Sequence, residues 1–515
     1  MRLLLLSTLL CLAHAQLHKP KNVLFLVADD LRPQLGYFQD SADFPTPVHP
    51  RMHTPSLDSL AKRSFVSRRA YVQQAVCSPS RTSLLTGRRP DTTHVYDLES
   101  YWRKVGGNYT TLPQYFKQQG YRSIGMGKIF HPGPLASGND DPISWTDPYY
   151  HSEEEQHWTE RKHSWYAVPE AERQAHPLPD DQIAEHAINK IKELAKDPSQ
   201  PFFLAVGFHK PHLPFIFPEK FMDLYPSDRV NVPDNIYAPR NMPDIAWSKY
   251  GELRSYTDIE ELHASGDINT TLPIDVTRDL RRGYYSAISY MDHLLGTVVD
   301  ELMNQGLGDN TIISFWGDHG WQLGEHGEWC KHTNFELSTH APMMVSIPGM
   351  TDAGMVSEKL TEFVDLFPTL VDAAGLPTMP LCPADSTKTE LCREGESWMP
   401  LIRGDGGQWK DRVFSQYPRD NSKIMGYTMR TDRFRYTEWV KFRDYKPEWQ
   451  KLFGVELYDH KIDPEENNNV AAAAAYAPAT KQLSAQLRAG WRSARPDDPR
   501  SVRYDADAWP IFQHL

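Results

Sequence analysis

Four apolar runs in this sequence end on residues that can hold a metal, an anion or a proton. Residues 23–28 lead straight into Asp29-Asp30, and 202–206 lead into His209-Lys210-Pro211-His212. Residues 311–315 lead into Asp318-His319, and a weaker run, 122–126, leads into Lys128 and His131. A fifth segment, Cys77-Ser78-Pro79-Ser80-Arg81, supplies a sulfur nucleophile, and Lys331 closely follows the glycine-bearing stretch 317–327. Any one of these is ordinary loop polarity; all of them together point to one shared place.

The residue types say what chemistry that place would do. Asp29, Asp30 and Asp318 repel one another unless a hard divalent cation, Ca2+ or Mg2+, lies between them. Taken alone, Asp29-Asp30 would as readily cap a helix. His319 suits an oxygen-seeking cation less well than the acids do. Pro79 is preset for the first turn of a helix, which 80–85 would continue and Thr86-Gly87 would end. Cys77 then stands at a helix N-terminus, where backbone N–H groups favour negative charge. A buried structural cysteine is the plainer alternative. Lys128, His131, His209 and Lys331 offer fixed positive charge and proton transfer, which suit the transfer of an anionic group between oxygens.

Such groups need a scaffold to deliver them. Continuous apolar runs fit strands buried on both faces, and amphipathic stretches at 56–62, 112–119, 182–196 and 284–303 lie between them. This alternation predicts an α/β domain: a large, mostly parallel sheet with helices on both faces. Ligands of such sheets bind beyond the carboxyl ends of the strands. A last helix of this domain starts within 363–370. Beyond Leu376-Pro377 the strand-like pieces 412–417, 427–431 and 435–439, with helical stretches at 471–479 and 483–491, predict a smaller C-terminal α+β domain with an antiparallel sheet. The expected division is a leader at 1–15, a catalytic domain at 16–403 and a smaller domain at 404–515.

The leader reads as a secretory signal peptide: Met1-Arg2, an apolar core to Leu12, then Ala13-His14-Ala15. It is too short to span a bilayer, and no later segment would. The formal charge of -12 argues against a general nucleic-acid binder, yet leaves room for a polyanion in a local basic pocket. The 21 histidines suit an acidic compartment. Of five cysteines, Cys11 leaves with the leader. Cys382 and Cys392 are expected to close a short disulfide. Cys77 and Cys330 remain, either bridged to each other or free for another purpose. Asn108-Tyr109-Thr110 and Asn269-Thr270-Thr271 are glycosylation sequons.

Cys77-Ser78-Pro79-Ser80-Arg81 followed by Leu85-Thr86-Gly87-Arg88 resembles the sulfatase motif that directs oxidation of its cysteine to formylglycine. Similarity to sulfatases runs on to Leu457-Tyr458-Asp459 and Asp463-Pro464. Further stretches are similar to the iduronate 2-sulfatase branch, among them Asp29-Asp30-Leu31-Arg32-Pro33, Gln73-Gln74-Ala75-Val76-Cys77, Ser100-Tyr101-Trp102-Arg103 and Gly127-Lys128-Ile129-Phe130-His131. The resemblance implies an alkaline-phosphatase-like sulfatase fold and one bound Ca2+. It implies that a formylglycine-generating enzyme converts Cys77 to 3-oxoalanine. It also implies a lysosomal location reached through the secretory pathway, with a secreted form open as well. The implied reaction is removal of the 2-O-sulfate from terminal iduronate in heparan and dermatan sulfate.

By the family pattern, Asp29, Asp30, Asp318 and His319 hold calcium together with the modified Cys77. Lys128, His209 and Lys331 neutralise the sulfate, His209 protonates the leaving alcohol, His131 serves as base and Arg81 orients the formylglycine. One hydroxyl of the hydrated aldehyde attacks sulfur and the second expels sulfate, a step that a serine ester has no group to perform. Arg103, Trp321 and His332 are candidates for the uronate carboxylate. Against the pattern, Cys330 stands where a small uncharged residue is expected and His332 where an aromatic one is. A second cysteine pair is also missing near 157–181. The rival readings are a phosphate-ester hydrolase, which would carry Ser or Thr as nucleophile, a sulfatase for another sugar, and a silent glycosaminoglycan-binding homologue lacking one of these residues.

Overall fold

The computed structural model describes residues 21–38, 50–133, 136–159 and 162–495. The expected leader lies outside the described residues. The apolar runs become strands β1 (Asn22–Ala28), β3 (Arg122–Gly127), β4 (Phe202–Phe208) and β5 (Thr311–Gly317), with β2 (Phe65–Tyr71), β6 (Met343–Ser346) and β7 (Met355–Glu362) completing one sheet. Its order is β7-β2-β6-β5-β1-β4-β3. Only β6 runs against its neighbours; the pairs β1–β4, β1–β5, β3–β4 and β2–β7 are parallel.

All seven residues of β1 are buried because both of its faces are covered. Leu24 and Leu26 join one apolar layer with Ile183 and Ile191 of α4 (Pro179–Leu194) and Leu280 and Ile288 of α5 (Ile274–Asn304). Val23, Phe25 and Val27 point the other way. They join Leu84 of α2 (Cys77–Thr86), Phe116 of α3 (Leu112–Gln118) and Leu370 of α6 (Leu366–Ala373). Helix α1 (Pro55–Ala61) also packs on the first side through Leu57 and Leu60. Alternation along the strand therefore builds two cores from one continuous apolar run.

Several elements escape a reading by pattern. Strand β2 carries Ser67-Arg68-Arg69 in its middle, which breaks the apolar run, and β7 is buried only in its last three residues. Helix α5 starts ten residues before the expected 284. Its first turns are polar and carry the pairs Asp275–Arg278 and Asp279–Arg282, which mask the apolar stripe.

The C-terminal strands β8 (Arg412–Arg419), β9 (Ile424–Thr431), β10 (Phe434–Arg443) and β11 (Lys446–Asp459) form an antiparallel meander in that order. Helix α7 (Ala477–Ala489) covers it, with Leu483 and Leu487 against Met429, Phe434 and Leu457. The helix expected from 471 begins only at 477, where Pro478 sets the first turn. Before it, Asn469 accepts the Ala471 N–H at 3.1 Å and the chain makes a single 3-10 turn at Ala474–Tyr476. The stretch joining the two sheets is itself anchored, since Lys410 Nζ donates to Glu362 and Asp365 at 2.9 and 2.6 Å. Cys382 and Cys392 form the expected disulfide. Cys77 and Cys330 are free and buried, so the alternative of a bridge between them does not hold. Asn108 and Asn269 are both exposed. The Asn108 side-chain amide donates to Glu390 at 3.0 Å.

Candidate active site

The carboxyl ends of β1, β3, β4 and β5 lie side by side, so the residues that follow them meet at one edge of the sheet. Asp30 turns the chain off β1 in the left-handed region, at φ 58°, which a short polar side chain tolerates. Two glycines bring β3 and β4 together. A Cβ on Gly127 would lie 2.0 Å from the Gly207 carbonyl oxygen, and one on Gly207 would lie 2.2 Å from the Lys128 carbonyl oxygen. The Lys128 N–H donates to Gly207 O at 2.9 Å, which fixes where the lysine leaves the sheet. Beyond β4, the Asp180 carboxylate at the start of α4 accepts the N–H groups of His209 and Lys210 at 2.8 and 2.9 Å.

Cys77 is the first residue of α2, which ends at Gly87 with φ 65°, as the Thr86-Gly87 pair predicts. Its Sγ lies 3.6 Å from Asp29 Oδ1, 4.0 Å from Asp30 Oδ1, 3.6 Å from His319 Nε2 and 3.7 Å from Lys128 Nζ. Burial first, then the Asp29 carboxylate, push the thiol well above its ordinary range. As a cysteine it is therefore a poor source of thiolate.

The acids around it are held from behind. The Arg81 guanidinium is fully buried and donates to Asp318 and Asp29, both at 2.9 Å, and to the backbone carbonyls of Lys128 and Ile129. Lys128 Nζ pairs with Asp29. Lys331 Nζ donates to both oxygens of Asp30, at 2.9 and 3.0 Å, and to Glu252 at 3.1 Å. Burial alone would raise the Asp29 carboxyl, but the charges of Lys128, then Arg81, then His212 hold it well below the usual range. For Asp30 burial wins, and its pKa is raised.

A divalent cation fits this donor set. The carboxylates of Asp30 and Asp318, Cys77 Sγ and a ring nitrogen of His319 can all lie within 4.8 Å of one another. His319 Nδ1 lies 2.8 Å from the Gly320 carbonyl, which accepts its proton. That leaves Nε2 as a lone pair, facing Asp30 Oδ1 at 3.3 Å and Asp318 Oδ1 at 3.6 Å. Acceptors gathered face to face need a positive centre between them.

The remaining expected residues are placed less uniformly. His209 is half-buried beside the same cavity as Asp29 and Lys128, with Nε2 at 3.8 Å from Glu155. Burial and then Lys128 push its pKa down to about 3. His131 is half-buried, and its inner Nδ1 has no hydrogen-bond partner among the described residues. Burial and Lys128 lower it likewise to about 3. His332 sits at the rim, its Nδ1 accepting from Tyr417 Oη at 2.6 Å and its Nε2 3.4 Å from Glu252. The other two substrate candidates are already engaged. Arg103 binds both oxygens of Asp140 at 2.8 Å and also Asn108 and Gln114, so its guanidinium is spent within the scaffold. Trp321 is 1% exposed, stacked on Tyr284 and covered by Lys331, whose Nζ lies 4.9 Å from the ring.

Three participants carried no role in the sequence reading. His212 Nε2 lies 3.6 Å from Asp30 and 3.2 Å from Glu252. Its signal was present, since it closes the His209-Lys210-Pro211-His212 run. Glu252, tying Lys331, His212 and His332, comes from a segment with no pattern to announce it. Tyr417 arrives from the C-terminal sheet, a contact that sequence spacing cannot foretell.

The family model Sulfatase matches residues 21–376, and the model N-sulphoglucosamine sulphohydrolase, C-terminal, matches 324–492. Iduronate 2-sulfatase of Mus musculus is 37% identical over 509 residues, covering 87% of this chain and 90% of that protein. The Homo sapiens enzyme is 36% identical over 512 residues, with the same coverage. Among solved structures, a 2-O glycosaminoglycan sulfatase matches with TM-score 0.66 and 21% identity, covering 95% of each chain. A phosphonate monoester hydrolase from Silicibacter pomeroyi matches with TM-score 0.69 and 21% identity, covering 93% of this chain and 96% of that one. At such identities the structures speak for the fold alone. On the strength of the Sulfatase model and of relatives 36–37% identical across most of its length, this chain belongs to the sulfatase family of sulfuric ester hydrolases.

Proposed function

We propose that this chain removes the 2-O-sulfate from terminal iduronate residues of heparan and dermatan sulfate in the lysosome, reached by the secretory route. The observation that carries the reading is Cys77 at the first turn of α2, set among Asp29, Asp30, His319 and Lys128. The names of the mammalian relatives favour the iduronate substrate. Among the described residues no helix is long and apolar enough to cross a membrane. We place the catalytic unit at 16–403 and the smaller domain at 404–515.

Asp29, Asp30, Asp318 and His319 would hold one Ca2+, with residue 77 completing the set. Oxidised to formylglycine, residue 77 supplies a hydrated aldehyde as nucleophile, which the buried thiol is unfit to be. Since Cys77 is only 2% exposed in the folded chain, a formylglycine-generating enzyme would act before folding closes over it. Lys128 and Lys331 bind the sulfate oxygens, where fixed charge meets the charge that develops in transfer. His209, held neutral by burial and Lys128, takes a proton once the anion binds and passes it to the leaving sugar alcohol. His131, also neutral, accepts the proton released at residue 77. Arg81 is a positioning residue, fixing Asp29 and Asp318. His332, next to Glu252 and Tyr417, is the remaining candidate for the uronate end.

The test combines mass spectrometry of the peptide spanning residue 77 with hydrolysis of paired substrates. The expected result is an aldehyde at 77 and release of sulfate from a terminal iduronate 2-sulfate. The matching phosphate ester, and a glucosamine 6-sulfate, would react far more slowly. Active protein with an intact thiol at 77 would overturn the mechanism, and preference for the glucosamine ester would overturn the substrate.

A further inference from the structure

Among the described residues outside the active site, one cluster brings two imidazoles and a carboxylate within 4.8 Å of one another: Glu154, His157 and His176. The two histidine rings stack at 4.2 Å with planes 12° apart. His176 Nδ1 lies 3.4 Å from Glu154 Oε2, long for a hydrogen bond. No hydrogen bond joins the three side chains among the described residues. Ligand atoms collect here without satisfying each other, and solvent reaches them: the His176 side chain is 47% exposed.

The backbone beneath them is fixed. Ser152 Oγ and the Glu153 N–H both donate to Gln182 Oε1 of α4, at 2.6 and 3.0 Å, which anchors the arm carrying Glu154 and His157. Trp158 Nε1 donates to Pro177 O at 3.1 Å, which ties that arm to the one carrying His176. The same two arms supply Glu155, Trp158, Leu178 and Pro179 to the wall of the cavity that holds Asp29, Lys128 and His209.

Two imidazole nitrogens and one carboxylate oxygen, with a water in the fourth position, are a ligand set for Zn2+. At bond lengths of ~2.0–2.1 Å, tetrahedral ligand atoms lie about 3.4 Å apart, so closure asks for rotamer shifts on the order of 1 Å. We propose that Glu154, His157 and His176 bind one Zn2+, which cross-links the two arms of the active-site wall. This holds whichever sulfate ester is the substrate; the site stands apart from the catalytic cluster.

The test is a titration of the calcium-saturated full chain with Zn2+ near neutral pH and in calcium excess, beside the His157→Ala/His176→Ala double variant. Competition with a chromophoric chelator counts the zinc, thermal unfolding reads the cross-link, and Co2+ serves as a spectroscopic probe of tetrahedral geometry. The expected result is one more zinc equivalent in the parent than in the double variant. Zinc should raise the thermal midpoint by several degrees in the parent only. Glu154→Gln, which keeps the side-chain shape, should weaken zinc binding about tenfold or more while folding normally. Equal zinc uptake and equal midpoints with and without the two histidines would overturn the proposal, as would a parent that takes up no zinc.

Discussion

Two clusters of buried charge in this protein look alike in composition and differ in what their imidazoles present to the carboxylates. One lies where the large domain meets the C-terminal sheet. There Glu336 accepts from Tyr71 Oη at 2.6 Å, Arg430 Nε at 3.0 Å and Arg435. Glu466 accepts from Arg435 Nε at 2.6 Å and the Glu336 N–H at 2.7 Å, while His460 Nε2 lies 2.9 Å away. Both carboxylates are saturated by fixed donors. In the active site, Asp29, Asp30, Asp318 and Glu252 share Arg81, Lys128 and Lys331, and the oxygens of Asp30 and Asp318 still face the His319 lone pair. The carboxylate oxygens have donors in both places. His460 in the joint accepts from Arg430 at 2.7 Å on Nδ1 and so turns a proton to Glu466, whereas His319 turns a lone pair to its carboxylates, the arrangement a bound cation would complete. Proximity of His, Asp and Glu alone does not separate the two.

The largest effect that tests this contrast is loss of the proposed nucleophile. Cys77→Ala should lower sulfatase kcat/KM by at least about 10^3-fold, with the thermal midpoint kept or raised, since a buried polar group leaves. Lys331→Met should cost about 10^2–10^3-fold in kcat/KM, the range for removal of one preorganised charge from the transition state. A steady-state assay checks both. Next come the carboxylates themselves. Glu336→Gln strands two arginines in the joint and should cost about 3–5 kcal/mol of stability in denaturant unfolding, leaving calcium affinity unchanged. Asp30→Asn should do the reverse: calcium binding measured by calorimetry weakens, while stability changes little.

Titration separates the two regions in another way. His209 and His131 near the site are pushed down to about 3, and His340 near the joint to about 4, each chiefly by burial. Folded pKa values below the unfolded ~6.5 mean that the unfolded chain binds more protons. Stability is therefore full above about pH 6.5 and falls as pH drops toward 3–4. Inorganic sulfate should offset the part owed to His209 and His131, because an anion favours their charged forms. His340→Asn should flatten the slope whether sulfate is present or not. Unfolding midpoints across pH, with and without sulfate, measure both. The smallest expected effect concerns Arg103. Arg103→Gln should lower stability by about 1–3 kcal/mol through loss of the Asp140 pair and leave KM unchanged; a raised KM with intact stability would restore it to the substrate.

Much of this was legible in the residue order. The strands that end in Asp29-Asp30, Lys128, His209 and Asp318-His319 declared themselves by continuous apolar runs, and Pro79 with Gly87 marked both ends of α2. Local rules suffice there because backbone preference and burial on both faces agree. They failed where long-range packing overrides local pattern. Strand β2 keeps two arginines because partners lie far along the chain: Arg69 reaches Asp432 at 2.7 Å. Arg103 and Trp321 had suitable types for a substrate site, yet Asp140 engages the one and Tyr284 and Lys331 cover the other.

The sequence by itself singled out Cys77, the acids beside it and the sheet that carries them, because motif spacing and strand burial are local properties. Only the tertiary structure decided which acceptors face the His319 lone pair, which lysine answers which aspartate, and that Glu252 and Tyr417 stand beside His332. Those outcomes depend on distances between residues hundreds of positions apart, where electrostatics and hydrogen bonding are set by the packed core rather than by order along the chain.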